Sequence, residues 1–493
     1  MPDKFYVTTP IYYVNDKPHI GHAYTNVVAD FLARYHKARG EETFFLTGTD
    51  EHGQKNVEAA KEAGKTLEEL SDENSEKFKE LKEVLNLSWN DFIRTSDKEK
   101  HWPGAIELWK RIEANGDIYE DEYEGLYCVG CEAFLTEKEL VDGLCPIHKT
   151  KPELLKEKNL FFRLSKYSNK IGQKIESGEL EVLPETRRNE ILSLIKSGLK
   201  DVSFSRPKEK LAWGIPVPGH EDQTMYVWCD ALSNYITAVG FGRDEKEFKK
   251  WWPADAHIIG KDILRFHAAI WPGMLLSAGL PLPKGIYVHG FITIEGEKMS
   301  KSLGNVVKPE NLVEKYGRDA VRYYLLSEIP SHEDGDFSSE RFEERYRSDL
   351  ANGLGNFASR VSTLAEDAGE LKNSEVSGEI TSEIEIARKN IEEAVSQFKL
   401  HEAVSTVWGL IHFGDGYIDE KKPWESKDLG VIFNLVVLLD NIASLVSPIT
   451  PEAAEKITNS IEWKSKDSLK VKKVEALFPR LNEENSGRQA RLK

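Results

Sequence analysis

The chain has 493 residues, of which 40% are hydrophobic and 30% charged, and its formal net charge is −17 at pH 7. This length exceeds one ordinary hydrophobic core and predicts about three domains. The acidic balance argues against a protein that coats nucleic acid through bulk electrostatics, although a shaped local site stays possible. The apolar run at 431–446 is interrupted by Asn434, Asp440 and Asn441, so it predicts a buried helix rather than a membrane span. We expect a cytoplasmic protein without a membrane segment, because the first residues lack the basic and apolar parts of a secretory signal.

The first fifty residues have the pattern of a strand, a helix and a second strand. Residues 5–9 are β-rich, and apolar residues recur at helical spacing over 24–35 until Gly40 can end the helix. Residues 43–47 form the second β-type run. Two strands joined by one crossover helix make a parallel βαβ unit, which predicts a Rossmann-like, doubly wound parallel sheet.

The rest of the chain has two further parts. Residues 116–224 interrupt the βαβ pattern with a cysteine cluster and a turn-rich stretch, which predicts an insertion within the sheet domain. Strand and helix patterning returns at 226–228, 257–260 and 286–291. From residue 311 onward long periodic segments at 340–370, 381–412 and 430–460 predict an all-α region.

The segment His19-Ile20-Gly21-His22 lies between the first predicted strand and its helix. A helix N-terminus favours phosphate, Gly21 lets a nucleotide approach the backbone, and two imidazoles can donate hydrogen bonds to phosphate oxygens. Such a segment alone is as often an ordinary loop, but its place at the mouth of a βαβ unit favours a functional site.

The segment Lys298-Met299-Ser300-Lys301-Ser302 is flanked by Gly296 and Gly304. Flanking glycines indicate a mobile loop, and two lysines with two hydroxyls suit a leaving polyphosphate. Taken singly, the segment is more typical of a solvated basic loop.

Three of the chain's four cysteines form the pattern Cys128-x2-Cys131-x13-Cys145-x2-His148. Two close pairs of soft ligands match tetrahedral zinc, and four protein ligands leave no open position for water. The pattern therefore predicts one structural zinc ion in a knuckle.

The two phosphate motifs, in this order, are similar to the signature of the class I aminoacyl-tRNA synthetases. The wider match most resembles the methionyl-tRNA synthetases. The similar segments are 9–15, 48–53, 213–216, 227–232, 260–263 and 288–291, and the resemblance extends from residue 5 to about 465.

This resemblance implies the function and the residues of the site. It implies activation of L-methionine with ATP to methionyl-adenylate, release of pyrophosphate, and transfer of methionine to the 3′ end of tRNA(Met). The implied catalytic residues are His19, His22, Lys298 and Lys301. The implied ATP-binding residues are His19, Gly21, His22, Gly260, Asp262, His289, Gly290 and Lys301, with Mg²⁺ on the polyphosphate. The implied methionine-binding residues are Ile11, Tyr13, Asp50, Trp228, Ala231, Leu232, Tyr235, Ile263, Phe266 and His267.

The resemblance also implies a helical anticodon-binding region, in which Asp415 and Trp463 are the candidate contacts. Asp415-Gly416 departs from the family's usual Asn followed by a basic or polar residue. The implied organisation is a catalytic domain in two halves at 1–115 and 225–305, the knuckle-bearing insertion at 116–224, a stem-contact region at 306–345 and the anticodon-binding domain at 346–493. We expect a monomer, because the chain stops soon after the helical region.

Other functions share parts of this pattern. A cysteinyl or leucyl synthetase would have both phosphate motifs, but the former uses zinc at its amino-acid site and the latter needs a larger editing insertion. A nucleotidyltransferase without tRNA would not need the helical third, and a zinc-knuckle binding protein would need neither phosphate motif.

Overall fold

A computed structural model describes residues 3–130, 133–135, 137, 140–146, 149–299, 304–465 and 468–481. The chain divides into two compact units. Unit one consists of Met1–Glu83 and Leu87–His289, and unit two consists of Val84–Asn86 and Gly290–Lys493.

Unit one alternates strands and helices. Its first elements are β1 (Lys4–Tyr13), α1 (Ile20–Ala38), β2 (Glu42–Asp50), α2 (Gln54–Glu62), α3 (Leu67–Val84), β3 (Asp91–Arg94) and α4 (Trp102–Ala114). The next are β4 (Ile118–Cys128), β5 (Ala133–Leu135), β6 (Glu153–Phe162), α5 (Ser168–Glu176), β7 (Glu181–Leu183), α6 (Glu185–Lys196), β8 (Val202–Ser203), β9 (Ser205–Pro207), β10 (Pro216–Val217) and β11 (His220–Met225). The last are α7 (Val227–Thr237), α8 (Glu245–Trp251), β12 (Ala256–Gly260), a π-helical turn (Phe266–Ile270), α9 (Trp271–Ser277) and β13 (Gly285–His289).

The central sheet of unit one has six strands in the order β3-β2-β1-β12-β13-β7, and every neighbouring pair is parallel. Its middle strands are buried on both faces; Tyr6 and Val7 of β1 and Ile258 of β12 are fully buried. Such near-continuous apolar strands are typical of a parallel sheet covered by helices. The predicted parallel βαβ unit and Rossmann-like sheet are therefore confirmed.

The chain leaves β1 toward β2 on one side, whereas β12 lies on the other side of β1. This arrangement makes the carboxyl ends of β1 and β12 a topological switch point. In open α/β sheets, ligands bind in the crevice at such a point.

The segment 116–224 forms mostly separate antiparallel sheets. The strand orders are β5-β4-β6-β8 and β10-β11-β9. However, β7 pairs in parallel with β13 and becomes the edge of the central sheet. Part of the predicted insertion therefore belongs to the central sheet. The sequence did not reveal this, because β7 has only three residues.

Unit two is mainly helical. Its elements are β14 (Ile292–Ile294), β15 (Glu297–Lys298), α10 (Pro309–Tyr316), α11 (Arg318–Glu328), β16 (Gly335–Phe337), α12 (Ser339–Arg345), a π-helical stretch (Tyr346–Gly355), α13 (Asn356–Ala368), β17 (Glu370–Lys372), α14 (Gly378–Ser396), α15 (Leu400–Lys421), α16 (Pro423–Ser426), α17 (Leu429–Val446), α18 (Pro451–Ser460), β18 (Ile461–Ser465) and β19 (Ser468–Val471).

A small antiparallel sheet in the order β17-β19-β18 corrects the expectation of an all-α region. Each of its strands has five residues or fewer, and β17 is far from its partners in sequence. Periodicity over so few residues does not distinguish a strand from a loop.

Helix α17 is the predicted buried helix of the apolar run. By length and composition it could cross a membrane, yet it packs against α13, α15 and α18, and core helices meet the same criteria. Asn434 on this helix accepts a hydrogen bond from the Ser377 N–H at 3.0 Å, which satisfies one of the polar groups in the run.

Candidate functional site

Helix α1 begins at the carboxyl end of β1, and His19 is its N-cap. The His19 backbone is extended, and its Nδ1 accepts a hydrogen bond from the Gly21 N–H at 3.1 Å. His22 Nδ1 accepts one from the His19 N–H at 3.2 Å, which completes a reciprocal capping box. The two rings stack with centroids 3.8 Å apart. The capping contacts thus fix both imidazoles.

Both imidazoles are neutral at pH 7. Burial lowers the pKa of His19 to about 4, against the opposing charge of Asp16. Burial also lowers the pKa of His22 well below its usual value, and the neighbouring His19 and Lys55 lower it further. Because each Nδ1 accepts a backbone hydrogen bond, the hydrogen-bond network assigns the proton of each ring to Nε2. The motif therefore supplies two N–H donors beside a helix N-terminus, where the helix dipole already favours an anion.

The His19 side chain lies close to the Cα of Gly21. A Cβ on residue 21 would lie 3.0 Å from His19 Cε1 and 3.1 Å from His19 Nδ1. The imidazole would have to move away from its capping position. A glycine here therefore serves the position of His19 as well as the approach of a ligand.

The carboxyl ends of β12 and β13 bring together three more predicted ATP residues. Gly260 and His289 are paired across the two strands, and His289 Nε2 lies 2.8 Å from Thr25 Oγ1 of α1. A Cβ on Gly260 would come within 2.7 Å of Asp262 Oδ1 and 3.8 Å of His289 Cε1. The carboxylate of the exposed Asp262 therefore lies too close for a Cβ at residue 260. The structure gathers these groups at the switch-point edge of the sheet.

The ten predicted methionine residues lie on three parts of unit one. Ile11 and Tyr13 are on β1 and Asp50 ends β2; Trp228, Ala231, Leu232 and Tyr235 are on α7; Ile263, Phe266 and His267 follow β12. Ile11, Tyr13, Ile263 and Phe266 are partly buried and pack against the core cluster that contains Trp228, Leu232 and Tyr235. The structure therefore brings residues far apart in sequence to one apolar region.

Aromatic rings dominate this region. The Trp228 and Phe266 rings stack with centroids 3.7 Å apart and an interplanar angle of 8°. His267 Nδ1 lies 2.9 Å from the Ile263 carbonyl, and its Nε2 lies 2.7 Å from the Tyr235 hydroxyl. Burial lowers the pKa of His267 to about 4, so the ring is neutral; its Nδ1–H donates to the carbonyl and its Nε2 accepts from Tyr235. A neutral, aromatic lining suits a thioether, whose sulfur interacts favourably with rings.

Asp50 is a buried carboxylate at the end of β2. It is 3% exposed, and its Oδ1 accepts a hydrogen bond from the His52 N–H at 3.3 Å. Asp50 is the register partner of Tyr13 across β1 and β2, which places its carboxylate beside the predicted methionine residues. A buried carboxylate beside an apolar lining can pair with an ammonium group.

The sequence analysis did not single out several residues of unit one that lie beside the predicted site residues. Trp271 is fully buried, and its ring lies 6.0 Å from that of Tyr235. Thr25 contacts His289, and Asp230 is bound by two histidines. The π-helical turn at Phe266–Ile270 was also missed, although such turns occur often at functional sites. Only Asp230 lay in a segment that the resemblance had singled out.

Two of the four predicted zinc ligands, Cys131 and His148, lie outside the described residues. Cys128 and Cys145 are both at most 1% exposed. The Cys145 N–H donates to the Thr150 carbonyl at 2.8 Å, and the Cys145 carbonyl accepts from the Lys149 N–H at 2.8 Å. Among the described residues no group of three or more metal-ligating side chains is found. Buried cysteine sulfurs are the soft ligands that a structural zinc ion prefers, so Cys128 and Cys145 fit the chemistry of the predicted knuckle.

Unit two holds the second phosphate motif, of which Lys301 lies outside the described residues. The Lys298 backbone belongs to β15 and pairs with Thr293 of β14. Gly290 begins the unit, and a Cβ there would come within 2.1 Å of the Glu333 carbonyl oxygen. This close backbone approach accounts for a glycine after β13.

The two candidate anticodon residues lie on different elements of unit two. Asp415 of α15 is half-buried, and its Oδ1 pairs with Arg360 Nη1 of α13 at 3.1 Å. Trp463 of β18 is 45% exposed, and its ring meets Phe433 edge-on at 6.4 Å. The Asp415 carboxylate is thus engaged within the protein, whereas the Trp463 indole is partly exposed, and an exposed indole can stack on an unpaired base.

The chain matches two family models. The model described as tRNA synthetases class I (M) matches residues 5–151 and 137–362. The model described as the anticodon-binding domain of tRNA ligase matches residues 378–490.

Relatives and solved structures agree with these matches. The methionine–tRNA ligase of Thermotoga maritima is 42% identical over 94% of this chain and 76% of its own length. The methionine–tRNA ligase of Brucella suis is 43% identical over 92% of this chain and 91% of its own length. Methionyl-tRNA synthetase of Mycobacterium tuberculosis, solved in complex with methionyl-adenylate, is similar with a TM-score of 0.91 and 38% identity, covering 97% of this chain and 100% of that one.

Proposed function

Because the chain belongs to the methionine–tRNA ligase family of class I tRNA synthetases, we propose that the predicted residues of the two phosphate motifs and the methionine pocket carry its catalysis. The activity itself is the ligation of methionine to tRNA with ATP. The cysteinyl and leucyl alternatives are not supported by any of these similarities.

The reaction has two steps. An oxygen of the methionine carboxylate attacks the α-phosphorus of ATP, the bond to the bridging oxygen of the β-phosphate breaks, and pyrophosphate leaves. The terminal ribose hydroxyl of tRNA then attacks the acyl carbon of methionyl-adenylate, loses its proton, and AMP leaves. Since the protein forms no covalent bond in either step, it acts by positioning the reactants and stabilising charge.

His19 and His22 act as neutral hydrogen-bond donors to ATP phosphate oxygens. The proposal is supported by their Nδ1 contacts with the backbone, which leave Nε2–H as the donor of each ring. A neutral donor keeps its proton while negative charge shifts toward the leaving pyrophosphate. Lys301, helped by Lys298, binds the β- and γ-phosphates, and Gly260, Asp262, His289 and Gly290 line the remainder of the ATP site. ATP enters as its magnesium complex.

Asp50 pairs with the methionine ammonium, and the apolar residues of β1, α7 and the turns after β12 surround the side chain. The low pKa of His267 supports this assignment, because a protonated imidazole would place a charge against an apolar thioether. The Tyr235 hydroxyl donates to His267 Nε2, and this hydrogen bond fixes the orientation of the two side chains.

Cys128, Cys131, Cys145 and His148 hold one structural zinc ion, which fastens the turn of the insertion and takes no part in the reaction. Trp463 stacks on an anticodon base of tRNA(Met), and Asp415 contributes to the same recognition. The chain acts as a cytoplasmic monomer, and the organisation into two catalytic halves, an insertion, a stem-contact region and an anticodon-binding domain is part of the same proposal.

The capping of α1 by His19 and His22 at the switch point is the observation that carries the catalytic assignment. The test is ATP–pyrophosphate exchange, which we expect to depend on methionine. Faster exchange with leucine or cysteine would reject the amino-acid specificity. Lys301→Ala is expected to slow adenylate formation far more than it weakens methionine binding, and equal losses in both would reject its role in the transition state.

A further inference from the structure

A buried carboxylate of unit one, Asp230, lies between two imidazoles. Its Oδ2 is 2.5 Å from His52 Nδ1, and its Oδ1 is 2.6 Å from His101 Nε2. All three residues are at most 2% exposed. Burial alone would raise the pKa of Asp230, but the two histidines outweigh it and lower the pKa to about 2. The cluster therefore contains an ionised carboxylate that the two ring N–H groups satisfy.

The three members come from three segments, and two of these carry the methionine pocket. His52 follows Asp50 by two residues, and its backbone N–H donates to Asp50 Oδ1 at 3.3 Å. Asp230 lies in the first turn of α7, between Trp228 and Ala231. The His52–Asp230 hydrogen bond thus joins the loop that holds Asp50 to the helix that forms the apolar wall.

His101 fixes α7 at both ends. Its Nε2 binds Asp230 in the first turn, and its Nδ1 lies 2.8 Å from Thr237 Oγ1 in the last turn. Helix α4, which follows His101, comes close to α7 because Gly104 has no side chain. A Cβ there would lie 2.6 Å from both Thr237 Cγ2 and the Phe241 carbonyl oxygen.

Other contacts hold the Asp50 loop against the rest of unit one. The buried Glu51 carboxylate accepts a hydrogen bond from Arg94 Nε at 2.6 Å, and Trp213 Nε1 donates to the Glu51 carbonyl at 2.9 Å. Asn56 Nδ2 donates to the Asp50 carbonyl at 3.0 Å. With the loop immobilised in this way, a shift of α7 relative to Asp50 would have to break the His52–Asp230 bond.

We propose that His52, Asp230 and His101 are positioning residues that set the distance between Asp50 and the α7 wall of the methionine pocket. They make the site select ligands in which the ammonium and the thioether have the spacing found in methionine. The proposal rests on the assignment of Asp50 to the methionine ammonium. It assigns a role in amino-acid recognition to three buried residues outside the predicted methionine-binding set.

The test compares two unreactive inhibitors of methionine-dependent exchange in the full-length protein. Methioninol has the ammonium and the thioether, whereas 4-(methylthio)butan-1-ol has only the thioether. We expect His52→Ala to raise the inhibition constant of methioninol roughly tenfold and that of the other alcohol less than about twofold, because only methioninol must satisfy both ends of the pocket at once. His101→Ala should have the same selective effect.

Conservative variants should restore the spacing. In His52→Asn the amide nitrogen can donate in place of Nδ1, and in His101→Gln it can donate in place of Nε2. Both should recover most of the methioninol affinity. These variants and His101→Ala also provide the measurement if His52→Ala does not fold.

The matched control is Tyr167→Phe, which removes a buried hydrogen bond from Tyr167 to the Asp117 carboxylate elsewhere in unit one. It should lower thermal stability without changing either inhibition constant. Equal weakening of both inhibitors by His52→Ala, or no weakening of methioninol, would overturn the positioning role. Asp50→Asn separates the two proposals: if it leaves methioninol binding unchanged, the assignment of Asp50 and the inference built on it both fail.

Discussion

His19 uses its two ring nitrogens for two purposes. Nδ1 caps helix α1 by accepting the Gly21 N–H, which leaves Nε2–H to serve as the proposed phosphate donor. An asparagine is a good N-cap and can perform the first role but has no donor in the position of Nε2. The two roles of this residue can therefore be separated by one substitution.

We expect His19→Asn to keep the stability of the protein and to slow methionine-dependent exchange about a hundredfold, the usual loss for one donor to a developing charge. The free energy of unfolding from urea titration and the exchange rate are measured on the same preparation. Loss of stability in parallel with activity would mean that the residue acts only as a cap.

The contact between Gly21 and the His19 ring can be tested by adding one methyl group at residue 21. Gly21→Ala should displace the His19 ring, because the new Cβ would lie 3.0 Å from its Cε1. We expect a loss of exchange activity of roughly tenfold or more, as is typical of small misplacements of catalytic groups. Gly409→Ala is the control, since a Cβ there meets nothing within 4 Å on helix α15 and should be neutral or slightly stabilising. Activity near that of the unmodified protein in Gly21→Ala would show that His19 can adapt.

The sequence singled out the α1 terminus as a candidate phosphate site but did not show how its side chains are held. The spacing of His19, Gly21 and His22 indicated a phosphate site. The stacking of the rings and the choice of Nε2–H depend on backbone contacts that form only when the helix does. The pairing of Asp415 with Arg360 likewise joins residues 55 apart, which no local pattern reveals.

At the scale of elements, long periodic segments were predicted better than short ones. The periodicity over 381–412 indicated helix, but the chain breaks it between α14 and α15, where Phe398 has a left-handed backbone with φ of 56°. A phenylalanine is an unusual residue for that conformation, so the amino-acid types in this segment did not predict the break between the two helices. Strands β7 and β17 were missed because their hydrogen-bond partners are distant in sequence.

The zinc knuckle is the element with the clearest test. Metal analysis of freshly purified protein should find about one zinc per chain. Cys145→Ser should lower that value and destabilise the insertion, while Cys229→Ser, which lies outside the motif, should leave the zinc content unchanged. Protein that contains no zinc before any chelator is added would remove the knuckle from the proposal.

At the scale of the whole molecule, the two units should respond to acid in opposite directions. In unit one, burial lowers the pKa of His19 and His267 to about 4. In unit two, burial raises the pKa of Asp319 to about 6, although the Ala453 and Glu452 N–H groups oppose this. Five histidines of unit one share the downward direction: His19, His22, His36, His257 and His267.

The direction of each stability change depends on whether the folded or the unfolded state binds more protons. Between pH 6.5 and about 4 the unfolded chain binds more protons at these histidines than the folded unit does, so unit one loses stability as the pH falls. Folded unit two binds the extra proton at Asp319 and gains stability as the pH falls from about 6 toward 3.8. The raised pKa values of Asp415 and Asp440 add to this gain. The lowered pKa values of His401, Glu328 and Glu343 act against it.

Limited proteolysis with an endoprotease specific for glutamate, at pH 7 and pH 5, can locate the first cleavages by mass spectrometry. We expect cleavage within unit one to accelerate at pH 5 relative to cleavage within unit two. The reverse order would contradict the assignment of the histidines as neutral, buried groups.

Strand β7 limits which part of the insertion can be exchanged by protein engineering. Because Glu181–Leu183 pairs with β13, the strand that ends in His289, an excision of residues 116–224 would remove the edge strand of the sheet. It would expose the backbone of a strand that leads to the proposed ATP site. A chimera that exchanges insertions between synthetases should therefore be joined within the antiparallel sheets and leave residues 164–196 in place. The border of the transferable module is set by strand pairing rather than by the ends of the insertion in sequence.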